Sequence, residues 1–477
     1  MIRDAAYDML TPEDRAATHQ WVAEWLLTVG ERDVSRIAEH FLLGLDTKLA
    51  AKYLTDAAEL ALEATDLPGA IAFSSKAIAC GVDVELLGRL ELVRAEAFRW
   101  RGENRLSLTA ALSALSALRQ GSESWFRAAK EAVHTSGRLL ENDTLVRVGE
   151  ALAQERGELM SYAEVAACAR AAECLTHSGY PVLAEKLFSK VTSTSGQVDL
   201  EDPWVQAAID GLRGGRELTA GALGAAAQSF QRTIAMYEAL GDMRNATIYR
   251  LNAGFTLGQL GDYDRAEEAF RTARVHAEKL GLLDLITGIE YNLGFVLGRL
   301  GRVDEALAFG HRALTDFSAQ GNRLLASMSK VYMADALYWA GDYQAAAGLA
   351  SEAMGDGVDG PFLAAALAIA SGAYLVLGDA PKALALGERG IELLESIGGI
   401  NTLELFLRLA HVEALFANGH AVRGETYLRA AIERFTFRLD SLLDEAQKER
   451  YRTVPPEHQR LLRLAEHYLR DTLENLG

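Results

Sequence analysis

One repeat of about forty residues constrains this chain more than anything else in it. The strip LGQLGDYDRAEEAF at Leu257–Phe270 returns as LGRLGRVDEALAFG at Leu297–Gly310. Aligned on one glycine, the pattern extends in both directions. Gly261 has Gly254 seven residues before it, Ala266 five after it and Ala273 twelve after it. Gly301 carries Gly294, Ala306 and Ala313 at the same offsets, and Gly341 carries Ala334, Ala346 and Ala353. Gly378 carries Ser371, Ala383 and Gly390; Gly419 carries Val412, Gly424 and Ala431. Toward the N-terminus, Gly221, Gly179 and Gly102 repeat the pattern with Gly214, Ala172 and Ala95 before them. Thr65 stands in for the glycine with Ala58, Ala70 and Ala77, and Asn142 takes the turn between 102 and 179, with Arg147 where a small residue is expected. The ten markers 65, 102, 142, 179, 221, 261, 301, 341, 378 and 419 fall 37 to 42 residues apart. A period of this size belongs to a solenoid of stacked units.

Each recurring position has a physical reason. Alanine, leucine, glutamate and arginine dominate, and only 8 prolines occur, so helix is favoured almost throughout. The marker ends the first helix of a unit, where a left-handed backbone is least costly for glycine. Asp262, Asp342 and Asp379 follow it and are expected to cap the second helix. The small residues before and after the turn sit where two helix axes cross closely. A second glycine set, Gly241, Gly281 and Gly321, ends the second helix. Gly211, Gly214 and Gly215 offer amides and arginines to an anion, but fall inside a first helix, where close packing is the expected role.

The pattern running from Asn252 through Gly254 and Gly261 to Ala266 resembles the tetratricopeptide repeat, in the roughly 40-residue variety of bacterial signalling ATPases and regulators. The resemblance covers about Thr47 to Phe435. It implies an all-α, right-handed superhelical solenoid of about ten helix-turn-helix repeats with helical end caps. The expected organisation is a helical junction over 1–45, the solenoid over 46–435 and capping helices over 436–477. In the junction, Thr11 and Pro12 open a helix to about Val29, and a second runs over Val34–Leu43. The strings RDAAYDML, DRAATHQWVAEWL and IAEHFLLG resemble the segment joining a STAND-type signalling ATPase to its repeats. RYRTVPPEHQRLLRLAEHYL, Arg450 to Leu469, resembles the closing segment of the same family, and its last helix is expected to cover the final repeat. That family often carries Ser/Thr kinase or adenylate cyclase modules. The resemblance therefore implies an upstream nucleotide-binding module, with this chain as a piece of the whole.

Composition and motifs exclude other classes. A net charge of −18 opposes general nucleic-acid binding. No apolar run has the length of a membrane span. Three cysteines cannot build a disulfide framework, which fits a cytoplasmic chain. There is no phosphate loop, kinase loop set, H-E-x-x-H or nucleophile elbow. The 10 histidines, His40 and His411 among them, are scattered singly. No catalysis, cofactor or metal is expected.

Binding is then the remaining role. First helices of this repeat family line the concave face. Counting back three, six and ten residues from each marker gives positions on one helix face. They include Leu251, Phe255, Tyr291, Phe295, Asp335, Tyr338 and Phe416, together with Glu96, Arg99 and Glu413. An aromatic middle with acidic ends suits a protein, peptide or small ligand. The alternative for the same rings is packing between neighbouring helices. Asn252 and Asn292 match the asparagine of carboxylate-clamp members, but Leu, Phe and Tyr stand where a clamp needs lysine. The leading reading is a non-catalytic sensor or scaffold. The alternative is a self-associating homodimer scaffold using exposed Trp21, Trp25 or Trp339.

Overall fold

Helix-favouring sequence broken by glycine at forty-residue intervals folds as that pattern dictates. The computed structural model describes residues 7, 9–154, 160–192, 199, 201–357 and 359–469. Residues 3–6 and 8 of the RDAAYDML stretch, and 470–477 of the C-terminal segment, lie outside the described residues. The protein is all-α, with 24 helices among the described residues. It divides into two compact units, Met1–Thr135 and Ser136–Gly477.

In the first unit, Thr11 caps the helix Pro12–Thr28: the Asp14 amide donates to its hydroxyl at 3.1 Å. Asp33 caps Val34–Leu43 in the same way. Ala23, Leu26, Ile37, Phe41 and Ala50 seal these helices onto the first repeat. Two helix pairs follow, Thr47–Glu63 with Leu67–Ala79 and Val84–Trp100 with Asn104–Ala117. Ser107 takes the small position of the second pair and donates to the Ala95 carbonyl at 2.8 Å, so the crossing is hydrogen-bonded as well as close. At the inward offsets, Glu96 receives Arg127 at 2.8 Å and Arg99 pairs with Glu131.

In the second unit seven helix pairs run from Tyr162–His177 to Ala421–Asp440. Helices pack against their neighbours in chain order, and first helices also contact the first helices of adjacent pairs. This is a TPR-like array. Gly221, Gly261, Gly301, Gly341, Gly378 and Gly419 all take left-handed backbone, with φ between 76° and 90°. A Cβ on Gly254 would lie 2.8 Å from the Phe270 ring, which shows why the crossing position stays small. In the Gly378 unit, Ser371 donates across the crossing to the Ala383 carbonyl at 2.8 Å. The same geometry accounts for Gly214, which sits in the helix Pro203–Ala220 against Phe230.

Two expectations need correction. The turn expected at Asn142 is made by Leu140, with φ 59°, and Asn142 begins the next helix, Asn142–Leu152. The marker shifts by two, which brings Leu145 into the small-residue register, fully buried, and leaves Arg147 exposed. A branched residue in that backbone costs about 1–2 kcal/mol, so counting glycine and asparagine passes over it. Asp342 and Asp379 cap their helices, but Asp262 makes no cap bond. Its carboxylate is drawn away to Arg450, at 3.0 Å.

The second unit curls enough for distant repeats to meet. Arg138 pairs with Asp284, Leu139 lies against Gly321, and Tyr332 faces Thr402.

Candidate functional site

The inward positions separate into two groups. Tyr291 is buried, stacked on Tyr332 with centroids 4.5 Å apart and edge-on to Phe317. Phe295 packs on Tyr332 at 4.6 Å. These rings lie between helices and stiffen the wall from within. Leu251 and Phe255 are half-buried on the neighbouring repeat. Tyr338 and Phe416 instead meet another part of the same chain directly, and Asp335 is linked to it through Arg299. Trp339, expected to be exposed, is half-buried beside them: its indole N–H donates to Asp335 at 3.1 Å and its ring packs on Phe406. The inward Asp335 lies one helical turn before it, which turns the indole toward the carboxylate. Asn292 donates to its own Gly288 carbonyl, an intrahelical bond that leaves no clamp.

That other part is the C-terminal segment. Asp444 caps Glu445–Thr453, Pro455 and Pro456 break the chain, and a second helix runs over Pro456–Tyr468. Leu461, Ala465 and Leu469 recur at four-residue spacing and are buried together. The helix packs on Glu404–Ala417 and Ala421–Asp440, the final pair, and also reaches inward across earlier repeats. Glu457 receives Arg299 at 2.6 Å. Arg460 donates to the Tyr338 hydroxyl at 3.0 Å and to both oxygens of Glu413 at 2.8 Å. Tyr468 stacks on Phe416 at 4.0 Å with an 11° interplanar angle. Upstream, Arg450 reaches Asp262, Pro455 covers Gly261, and the Ser441 carbonyl sits so close to Gly224 that any side chain there would collide with it. Five repeats between Gly221 and Gly419 therefore touch one short segment.

Charge is concentrated along this seam. The Arg299 side chain is only 2% exposed and lies between Asp335, at 2.7 Å, and Glu457. Burial pushes the Asp335 carboxyl up to about 6, against the pull of Arg299. For Glu457 burial acts in the same sense, but Arg299 and His458 outweigh it and hold the carboxyl below its usual range. A second knot centres on Glu404, which accepts from Arg408, Arg434 and Arg438. Between the knots lies a cavity of about 20 Å³, lined by Gly258 and Phe295 from the array and by Pro455, Glu457 and His458 from the segment. It holds about one water and no larger ligand.

Acid is expected to loosen this arrangement. Burial depresses His458 and His411 to about 4, from an ordinary 6.5. His458 faces Glu457, Arg299, Arg438 and the Tyr451 carbonyl, while His411 faces Glu388 and Arg423. Between about pH 6.5 and 4 the unfolded chain binds more protons at both, so stability falls as pH drops. Asp335 has the opposite sign: the folded state binds its proton first, which offsets part of the loss below about pH 6. Taken by themselves, these three groups give a net loss of about 3 kcal/mol from pH 7 to 4.5. Urea unfolding across that range measures it, and stability that rises on acidification would refute the assignment.

Sequence reasoning placed Asp335, Tyr338, Glu413 and Phe416 on the inward face, but it did not single out Arg299, Glu404, Arg438, Glu457, Arg460 or Tyr468. Arg299 stands two residues before its marker, outside the counted offsets. The E-x-x-R spacing of Glu457 and Arg460, one helical turn apart, was the available signal in the segment.

No family model matches the chain, and no curated protein matches its sequence. Among solved structures, the chain is similar to a Rap protein complexed with Competence and Sporulation Factor. Identity is 14%, coverage 72% of this chain and 99% of that one, and the TM-score 0.49. It is also similar to a chain of the Cut9–Hcn1 hetero-tetramer of the APC/C, at 10% identity, 94% and 92% coverage and a TM-score of 0.44. A third likeness is to a Signal Transduction ATPase with Numerous Domains from Pyrococcus horikoshii, which has a tetratricopeptide repeat sensor. Identity there is 14%, coverage 78% of this chain and 54% of that one, and the TM-score 0.40. At these values the function has to be argued from the chain's own residues. Among the described residues no group of three or more His, Cys, Asp or Glu is placed to hold a metal, and no helix is long and apolar enough to cross a membrane.

Proposed function

We propose that the chain is the non-catalytic sensor or scaffold region of a bacterial signal-transduction ATPase or kinase-linked regulator, taking a protein or peptide partner on the inner face of its second unit. The signalling context comes from the resemblance of the junction and closing segments. The choice of partner comes from one observation: inward positions of several repeats already hold a helix, through ion pairs and a stacked ring. Leu251 and Phe255, both half-buried, line the proposed surface; Asp335, Tyr338 and Phe416 are engaged with Arg299 and the C-terminal segment, and Tyr291 and Phe295 support the wall from behind.

A display library of helical peptides, panned on the full chain, tests this. Selected clones should bind the Phe255→Glu and Leu251→Glu variants at least tenfold more weakly. Clones that bind both variants as well as the original chain would remove the inner face from the proposal.

A second reading, self-association, draws on Trp21 and Trp25, 66% and 49% exposed on the Pro12–Thr28 helix of the first unit. Sedimentation across a hundredfold concentration range separates the two: a constant monomer mass rules self-association out.

A further inference from the structure

We infer that His19 and His40 form a proton-operated latch in the N-terminal junction: their facing Nδ1 atoms hold one hydrogen between them, and protonation of both rings frees Tyr7 and the first half of Pro12–Thr28 from Val34–Leu43. The latch belongs to the first unit and works whether or not a partner binds the second.

Histidines scattered singly along the sequence meet here in space. His19 lies on Pro12–Thr28 and His40 on Val34–Leu43, and both are half-buried. Their Nδ1 atoms are 2.9 Å apart, with the ring centroids at 5.0 Å. The other nitrogen of His19, Nε2, lies 2.8 Å from the Tyr7 hydroxyl. Arg15, one helical turn before His19, covers the Tyr7 ring at 4.7 Å. Two hydrogen bonds in series thus join three segments.

The number of hydrogens on the rings decides how this chain responds to acid. A neutral imidazole carries one N–H and an imidazolium two. With both rings neutral, the Tyr7 O–H donates to His19 Nε2 and the His19 Nδ1–H donates to His40 Nδ1. The reverse direction satisfies the same atoms. With His19 alone charged, it donates from both nitrogens, to Tyr7 and to His40, and both bonds survive. With both rings charged, each Nδ1 carries its own hydrogen. Two donors of like charge then face each other, and the rings must part.

This end of the helix has little apolar anchorage. The buried residues of Pro12–Thr28, Ala23 and Leu26, lie in its second half, against Ile37, Phe41 and Ala50. Nearer the pair the backbones come close at Gly44, where a Cβ would lie 2.9 Å from the Gln20 amide nitrogen. Opening can therefore be local, with the apolar contacts kept. The surroundings agree in sign. Burial, His19 and the Arg36 guanidinium hold the His40 imidazole below its usual value, against the pull of Glu39. Among the described residues, the helix Thr47–Glu63 packs behind Val34–Leu43 and brings no charge to bear on His40. The opened form binds that proton more readily than the closed one, so acid below about pH 6.5 favours opening.

Hydrogen exchange of the full chain, corrected for the intrinsic effect of pH, tests this. Between pH 7.5 and 5.5, protection over residues 15–22 should fall at least tenfold, while protection over 84–117 changes less than twofold. His19→Asn keeps an acceptor near the Nδ1 position and cannot become charged; His40→Gln leaves a single imidazole. Either variant, with its full helical circular dichroism at pH 7.5, should show less than a twofold fall over 15–22. Unchanged protection in the original chain would overturn the inference, and so would a tenfold fall in either folded variant. If neither variant folds, the original chain labelled with ¹⁵N at histidine decides. The two rings should then take up protons in two separate steps, with protection lost at the second, whereas a single common step would refute a shared hydrogen.

Discussion

Replacing Arg299 with alanine is expected to lower the unfolding free energy by about 3–5 kcal/mol, the range for removing one partner of a buried ion cluster. Arg299 holds two carboxylates, Asp335 at 1% exposure and Glu457. Without the guanidinium both face each other in a poorly solvated seam, and at least one must take up a proton. The loss should therefore shrink on mild acidification. Both carboxyls would titrate above their unfolded values, the folded state would bind more protons, and stability relative to the original chain would recover as pH falls toward about 5. Urea unfolding followed by circular dichroism at pH 7 and 5.5 measures both effects. The triple replacement Arg299→Met, Asp335→Asn and Glu457→Gln should regain most of the stability, because no buried charge is then orphaned. A loss below about 1 kcal/mol for Arg299→Ala would mean that water reaches the cluster and the pairs are ordinary surface contacts.

The fold was legible because its strictest requirement is local and recurs. Two helices cross at Gly254 and Ala266 only if both stay small, and most units meet that demand, with Val412 and Leu145 as exceptions. Where another residue carries the same backbone, as Leu140 does, the signal shifts and the count slips by two. The inward face was legible as a set of positions, since helix geometry alone places Asp335 and Glu413 six residues before their markers. Their partners were not. Arg299 and Glu457 are 158 residues apart, and Arg450 and Asp262 are 188 apart. No period links them, because the segment is not part of the repeat. Asp262 illustrates the limit: its place after the marker predicts a cap, yet a basic residue from the far end of the chain takes its carboxylate. Local propensity sets which positions recur, and long-range charge decides what some of them do.

The second large effect is expected at Glu404. It begins the helix Glu404–Ala417, directly after Leu403, which takes left-handed backbone at φ 64°. A carboxylate in the first turn favours the helix, and here it also joins three arginines. It is 1% exposed and accepts from Arg408 at 2.9 Å, Arg434 at 2.9 Å and Arg438 at 2.6 Å. Burial opposes its charge, yet Arg438 and Arg434 outweigh that and keep its carboxyl below the ordinary value. Glu404→Ala leaves three guanidinium groups crowded around a vacated centre, with Arg438 retaining a bond to the Ile400 carbonyl at 3.1 Å. A loss of about 3–5 kcal/mol is expected. Its cause can be distinguished from lost packing by salt. Sulfate should raise the melting temperature of the variant well beyond its effect on the original chain, because an anion can both screen the arginines and take the carboxylate's place. Equal sulfate shifts in the two proteins would show that packing, not charge, accounts for the loss. The knot also fixes the path of the chain, since Arg438 lies three residues before Ser441, whose carbonyl abuts Gly224. Freed from Glu404, that stretch should lose its fixed entry to the inner face, and hydrogen exchange over 445–469 should rise along with the fall in stability.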